Sequence, residues 1–176
     1  MPEQLKLATD FARIATRYVE LVSDPVDDAH TFAQRLLESL TQLYSAALVM
    51  PDVDDVDLDF NFHRSTEDEW KTVFQNVGNA FGERVYYWLN HDPIYPRDGS
   101  GNIVCGCLAD DCADIHRDII GPLMAFNDGE PKHLNDIIWE WSATPFRSHW
   151  GIHAIQAINA LHWIVFDHGL PDACGT

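Results

Sequence analysis

Apolar residues recur three or four positions apart along most of this chain, which is the period of an amphipathic α-helix. The first run predicts a helix from about Glu3 to Val22, and the second predicts a helix that opens at Asp27 or Asp28 and ends before Pro51. Because the connection between the two runs is short, we expect them to form an antiparallel helical hairpin.

An aspartate-rich segment follows the second run. Between Asp52 and Asp59, aspartates alternate with apolar residues and show no helical period. We interpret this segment as a solvated acidic linker, because a calcium loop would need a glycine turn and a distant Glu that are not found there. The stretch Ser65–Glu69 then supplies an N-cap followed by acidic residues, which predicts the start of a third helix.

The helical period is lost between residues 82 and 106, where prolines and glycines interrupt a segment rich in Tyr and Trp. Long aromatic segments usually pack over a helical body, so we expect a long aromatic loop around residues 82–106. A short hairpin at Asp98-Gly99 is the alternative. Homodimerisation through exposed aromatic residues from Tyr86 to Tyr95 is a further hypothesis.

Three more apolar runs complete the pattern. They predict a fourth helix from Cys107 to about Phe126, a fifth from about Lys132 to Ala143, and a sixth from Thr144 to a stop at Gly169. The sequence shows no internal repeat of fixed period, and no linker divides it into two halves. The sequence therefore predicts an all-α fold, a single-domain bundle of five or six helices over residues 1–170, with a C-terminal tail at 171–176.

The charge balance argues against two classes of partner. The chain has 11 Lys and Arg against 28 Asp and Glu, a net charge of −17, and such a surface repels phosphate backbones and anionic bilayers. We therefore expect no nucleic-acid partner and no membrane partner. Since there is no membrane-spanning apolar run and no basic leader, and the few cysteines suit a reducing compartment, we expect a soluble cytoplasmic protein.

The residues most suited to chemistry lie on the fourth and sixth predicted helices. Asp111, Asp114 and Asp118 form one stripe beside the apolar face, while His149 and His153 are four positions apart on the other helix. If the helices pack side by side, these groups can bind a divalent metal ion. Asp–His hydrogen bonds that fix the helix register are one alternative, and exposed, unrelated side chains are another.

Other ligand patterns are disfavoured. A second set comprises Cys105, Cys107, Cys112 and His116. Its one-residue gap between cysteines departs from usual zinc spacing, and Cys112 lies on the apolar face. The single Glu-x-x-His match, Glu130 to His133, straddles a proline and does not support a di-iron bundle. The sequence also has no nucleophile elbow and no glycine-rich phosphate loop.

Three segments are similar to those of a known family. They are residues 43–51 (LYSAALVMP), 108–118 (LADDCADIHRD) and 146–153 (FRSHWGIH) with its continuation at 160–162 (ALH). Over most of the chain, they resemble the bacterial proteins grouped as domain of unknown function 5063. That family tends to have Tyr at the position of His116. The resemblance implies a small helical protein, gives no substrate, and matches the family motif at Asp111, Asp114, Asp118, His149, Trp150 and His153.

Two functional hypotheses follow from these patterns. The leading one is a non-catalytic acidic helical module for interaction or structure, with a protein partner or a second copy of itself. The alternative is a metal-dependent hydrolase with an Asp/His site between helices four and six, acting on a nucleotide or another phosphorylated compound. The shortage of Lys and Arg that could bind phosphate counts against the second hypothesis.

Overall fold

A computed structural model describes residues 2–57, 59–90, 103–129 and 133–168. Two antiparallel strands, β1 (Tyr86–Asn90) and β2 (Ile103–Cys107), separate the third helix from the fourth, and a 3₁₀ turn at Gly82–Val85 precedes them. π-helical turns at Phe146–Trp150 and Ile164–His168 flank the last helix. The α-helices of the described residues are α1 (Pro2–Ser23), α2 (Ala29–Leu48), α3 (Glu67–Phe81), α4 (Leu108–Asn127), α5 (Leu134–Ser142) and α6 (Gly151–Trp163).

The predicted all-α, single-domain bundle is confirmed. The starts of two helices follow from their capping residues. Asp28 accepts a hydrogen bond from the Thr31 amide at 2.9 Å and caps α2. Thr66 and Glu69 exchange side-chain and backbone hydrogen bonds in a capping box at α3, which satisfies amides that the first turn leaves without partners.

The aromatic segment departs from the loop predicted around residues 82–106. β1 and β2 pair in a ladder that runs from Tyr86 opposite Cys107 to Asn90 opposite Ile103. The ladder gives the strand backbones hydrogen-bond partners that an irregular loop would lack. Tyr86 and Trp88 are exposed, so homodimerisation through this surface stays a prediction that gel filtration tests. The predicted turn at Asp98-Gly99 lies outside the described residues.

α4 is the central helix of the bundle, because it packs against α1, α3, α5 and α6. Tyr18 of α1 is fully buried, and its hydroxyl donates to the Cys112 carbonyl of α4 at 2.8 Å. Phe11 of α1 stacks on Trp141 of α5 with ring centroids 4.6 Å apart. These contacts join α1 to α4 and to α5, and the buried apolar residues of the described helices form one hydrophobic core. The polar stripe of α4 therefore lies at the edge of a well-packed interface.

The described part of the acidic linker forms no helix and is tied to α5. The Asp57 amide donates to Asp136 Oδ1 at 2.7 Å, and the Asn135 side chain donates to the Asp54 carbonyl at 2.9 Å. Asp136 is buried, and its other oxygen lies 2.9 Å from His133 Nδ1. A segment predicted to be solvated is thus held to the helical body by backbone and side-chain hydrogen bonds.

In the described part of the chain, no helix combines the length and the apolar character needed to cross a membrane. The tail predicted at residues 171–176 lies outside the described residues, and the domain limit at residue 170 stays a prediction.

Candidate metal centre

The candidate centre lies where α4 meets the π-helical turn and the first turn of α6. Asp114 projects from α4, His149 lies in the π-helical turn, and His153 lies in α6. The turn needs a small residue at Gly151, since a Cβ there would lie 2.3 Å from the Phe146 carbonyl oxygen. π-helical turns occur often at functional sites. This one brings the rings of His149 and His153 to 4.9 Å between centroids.

Each imidazole is held by a carboxylate of α4. His149 Nδ1 lies 2.5 Å from Asp118 Oδ2, and His153 Nδ1 lies 2.7 Å from Asp111 Oδ1. An ionised carboxylate only accepts hydrogen bonds, so each Nδ1 carries the proton and donates it. In the neutral ring, this leaves Nε2 with a lone pair that is available to a third group.

Both Nε2 atoms face the same oxygen of Asp114. His153 Nε2 is 3.7 Å from Asp114 Oδ2, and His149 Nε2 is 3.9 Å from it. These contacts are too long for hydrogen bonds. Asp114, His149 and His153 each offer one ligand atom within 4.8 Å of the other two. Two nitrogens and one oxygen bound tetrahedrally to one ion at about 2.0–2.2 Å would lie about 3.3–3.6 Å apart, so a small inward movement would bring them into coordination.

The other oxygen of Asp114 is anchored. Its Oδ1 accepts a hydrogen bond from Trp70 Nε1 of α3 at 2.8 Å. The same oxygen forms an ion pair with Arg117 Nη2, which lies 2.9 Å away. With Oδ1 fixed by two donors, Oδ2 is directed toward the two imidazoles. All three side chains are therefore oriented by partners outside the centre, which is typical of residues that bind metals.

Negative charge accumulates around the same point. The pKa of Asp110 is raised by burial and by the neighbouring carboxylates of Asp114 and Asp111. The pKa of His153 is raised by its hydrogen bond to Asp111, against the opposing effect of burial. The contributions of the neighbouring carboxylates to both shifts indicate a local potential that favours positive charge. A cation bound between the helices would relieve that excess of negative charge.

The chain also matches a known protein family. A family profile described as a domain of unknown function, DUF5063, matches residues 3–167. The chain belongs to this family. The crystal structure of protein BF1032 from Bacteroides fragilis is similar to it, with 21% identity, 93% of each chain covered and a TM-score of 0.66. At that identity the likeness shows the fold alone. A search of curated proteins finds no match, and neither comparison names an activity, a ligand or a partner.

All five site residues predicted from the sequence come together in this DUF5063 domain, but in two different positions. Asp114, His149 and His153 face a common point, whereas Asp111 and Asp118 lie behind the imidazoles. The sequence pattern did not distinguish the residues that face the common point from those that lie behind the imidazoles.

Sequence reasoning also missed three partners of the centre. Tyr87 donates to Asp111 Oδ2 at 2.5 Å, and Trp70 and Arg117 contact Asp114. Of these, Arg117 could have been found from its spacing of three positions from Asp114. Tyr87 had no comparable signal, because the alternation of exposed and half-buried residues that places it on the inner side of β1 is seen only in the structure.

The disfavoured cysteine set is dispersed in the DUF5063 fold. Cys105 is exposed and Cys112 is buried in the core. His116 is buried too, which lowers its pKa, and its Nδ1 has no hydrogen-bond partner among the described residues. In the part of the chain that the structure describes, the one group of at least three His, Cys, Asp or Glu side chains with metal-binding geometry is Asp114, His149 and His153.

Two other residues that the sequence analysis singled out pack against aromatic rings. Trp150, which belongs to the family motif, is fully buried and packs on Phe146 at 4.7 Å between ring centroids. It is a core residue next to the centre. His133 stacks on Phe60 and contacts Asp136. Glu130, its predicted di-iron companion, lies outside the described residues.

Proposed function

We propose that this DUF5063 domain binds a divalent transition-metal ion through Asp114, His149 and His153. One observation supports the proposal above all others: three ligand atoms converge while the second polar atom of each side chain is held by another group. Two His and one carboxylate form a ligand set suited to Zn²⁺, Fe²⁺ or Mn²⁺. Asp118 and Asp111 act as outer partners that fix the tautomers of the two imidazoles.

Three protein ligands leave coordination positions for water or a ligand. Structural zinc sites usually have four protein ligands, whereas centres that bind and activate water have three. His149 is 40% exposed and His153 is 22% exposed, so the centre lies near the surface and within reach of small molecules. Such a metal lowers the pKa of a bound water and supplies a nucleophile for hydrolysis. This is the chemistry by which the hydrolase hypothesis would operate.

A second candidate function needs no metal. By themselves, the two Asp–His hydrogen bonds join α4 to the π-helical turn and to α6. Such bonds can fix the register of packed helices in a structural or interaction module. This reading does not account for the two Nε2 atoms that share Asp114 Oδ2 as a neighbour beyond hydrogen-bond distance. Metal binding accounts for that convergence and for the outer hydrogen bonds together.

Isothermal titration of the purified, chelator-treated protein with Zn²⁺ and Co²⁺ tests the proposal. We expect one ion per chain. His153→Ala and His149→Ala should each abolish saturable binding, because two ligands do not suffice. Asp118→Asn should weaken binding about 10–100-fold, because it alters the partner of a ligand rather than the ligand.

His162→Ala is the matched control, since this exposed histidine of α6 lies outside the centre. It should bind both ions like the unmodified protein. If the unmodified protein binds neither ion, or if His153→Ala binds as well as His162→Ala, the metal proposal is wrong and the register-fixing role remains. Elemental analysis of protein purified without added metal gives an independent readout.

A further inference from the structure

Tyr87 reaches the centre from the β-hairpin because the residue opposite it is a glycine. Tyr87 pairs with Gly106 across the two strands. A Cβ at Gly106 would lie 2.3 Å from Tyr87 Cζ and 2.7 Å from its hydroxyl oxygen. The ring therefore occupies the space that any other side chain at position 106 would need. Lying over Gly106, it directs its hydroxyl toward the first turn of α4.

The hydroxyl meets a carboxylate that is already engaged with an imidazole. Tyr87 donates to Asp111 Oδ2 at 2.5 Å, while Asp111 Oδ1 accepts from His153 Nδ1 at 2.7 Å. Asp111 is only 3% exposed, so water cannot readily replace either donor. The two bonds fix the carboxylate plane, and the carboxylate fixes the plane of the His153 ring. A continuous chain of contacts thus runs from β1 through Asp111 and His153 to Asp114 Oδ2.

We infer that Tyr87 is a positioning residue of the metal centre, which holds His153 in the orientation for coordination through Asp111. The inference rests on the proposed metal-binding function and assigns a role to the hairpin. Gly106 supports the same positioning role, because its lack of a side chain leaves room for the Tyr87 ring. Through Tyr87, β1 would then tune the affinity of an ion whose proposed ligands lie on other elements.

Titration with Co²⁺, followed by visible absorption, compares Tyr87→Phe with Asp111→Asn and with the unmodified protein. Tyr87→Phe keeps the ring over Gly106 and removes only the donor. We expect Asp111→Asn to lower Co²⁺ affinity about 10–100-fold. The expected loss for Tyr87→Phe is smaller, about three- to tenfold, because it acts one hydrogen bond farther from the ion. The absorption spectrum of bound Co²⁺ should change in both variants as His153 reorients.

Tyr86→Phe is the control, because it removes a hydroxyl from the neighbouring, 62% exposed tyrosine of the same strand. It should leave affinity and spectrum unchanged. Gly106→Ala supplies a second route to the same effect, since its methyl group displaces the Tyr87 ring, and it should also weaken binding.

The outcomes separate the two proposals. If the unmodified protein binds Co²⁺ and Tyr87→Phe matches it in affinity and spectrum, the positioning role is overturned and the metal site stands. If Tyr87→Phe lowers only the thermal stability, the positioning role is overturned as well, since a purely structural tyrosine would have that effect. If the unmodified protein binds no Co²⁺, both proposals are overturned.

Discussion

His153 Nε2 lies 3.7 Å from Asp114 Oδ2, across the interface between α6 and α4. The separation is longer than a hydrogen bond and slightly longer than the distance between two ligands of one metal ion. Meanwhile His153 Nδ1 and Asp114 Oδ1 are both engaged with other groups. His153 Nε2 and Asp114 Oδ2 are thus directed at each other because the other polar atom of each side chain is held elsewhere.

Metal should stabilise the folded protein, because the unfolded chain does not hold the three ligands together. At a free Zn²⁺ concentration one hundred times the dissociation constant, the free energy of unfolding rises by about 2.7 kcal/mol. For a chain of this size that corresponds to an increase in Tm of about 5–10 °C. Differential scanning fluorimetry with and without Zn²⁺ measures the shift, and a chelator should reverse it.

The double variant His149→Ala/His153→Ala should show no increase in Tm under the same conditions. An equal increase in this variant would mean that Zn²⁺ binds elsewhere on the acidic surface.

Two helical glycines should respond in opposite directions to substitution by alanine. A Cβ at Gly78 of α3 would meet only Ala109 Cβ at 3.9 Å, an ordinary contact. Gly78→Ala should therefore raise the free energy of unfolding by about 0.5–1 kcal/mol through helix propensity. A Cβ at Gly121 of α4 would lie 2.1 Å from the His63 carbonyl oxygen. Gly121→Ala should lower the free energy of unfolding by about 1–3 kcal/mol, because backbone must move.

Urea unfolding of the two glycine variants beside the unmodified protein checks both signs. A stabilising Gly121→Ala would show that the segment at His63 does not pack against α4 as closely as described.

The capping box of α3 should stabilise the folded protein at neutral pH, and this stabilisation should be lost in acid. The pKa of Glu69 is lowered by hydrogen bonds from the Thr66 backbone and side chain. A carboxyl group whose pKa is lower in the folded state stabilises above its unfolded value of about 4.3, and this stabilisation is lost as pH falls through the lowered pKa. Glu69→Gln should therefore cost stability at pH 7, by less than about 1 kcal/mol because the group is exposed.

The difference in unfolding free energy between Glu69→Gln and the unmodified protein, measured in urea, should shrink as the pH is lowered from 7 to 3. Glu83→Gln serves as the control, since this exposed residue has no place in the capping box. A difference that grows in acid would contradict the assigned role of Glu69.

The helices were accessible from the sequence because their signals are local. The apolar period predicted α1 to within about a residue at each end. The second helix was predicted to open at Asp27 or Asp28, of which the structure has Asp28 as the cap, and the third was predicted to start in the stretch Ser65–Glu69. The hairpin was less accessible. Its strands are short, and only β1 is rich in aromatic residues. Their pairing joins residues 86–90 to residues 103–107, so no short sequence window contains the ladder.

By itself, the sequence determined which residue types lie on which helix faces, because the period of the α-helix places Asp111, Asp114 and Asp118 in one stripe. Only the tertiary structure decided which atoms of those side chains face each other. That choice depends on Trp70 and Tyr87, which lie 44 and 24 positions from the carboxylates they contact. Side-chain orientation is set by such distant hydrogen-bond partners, and helical periodicity carries no information about them.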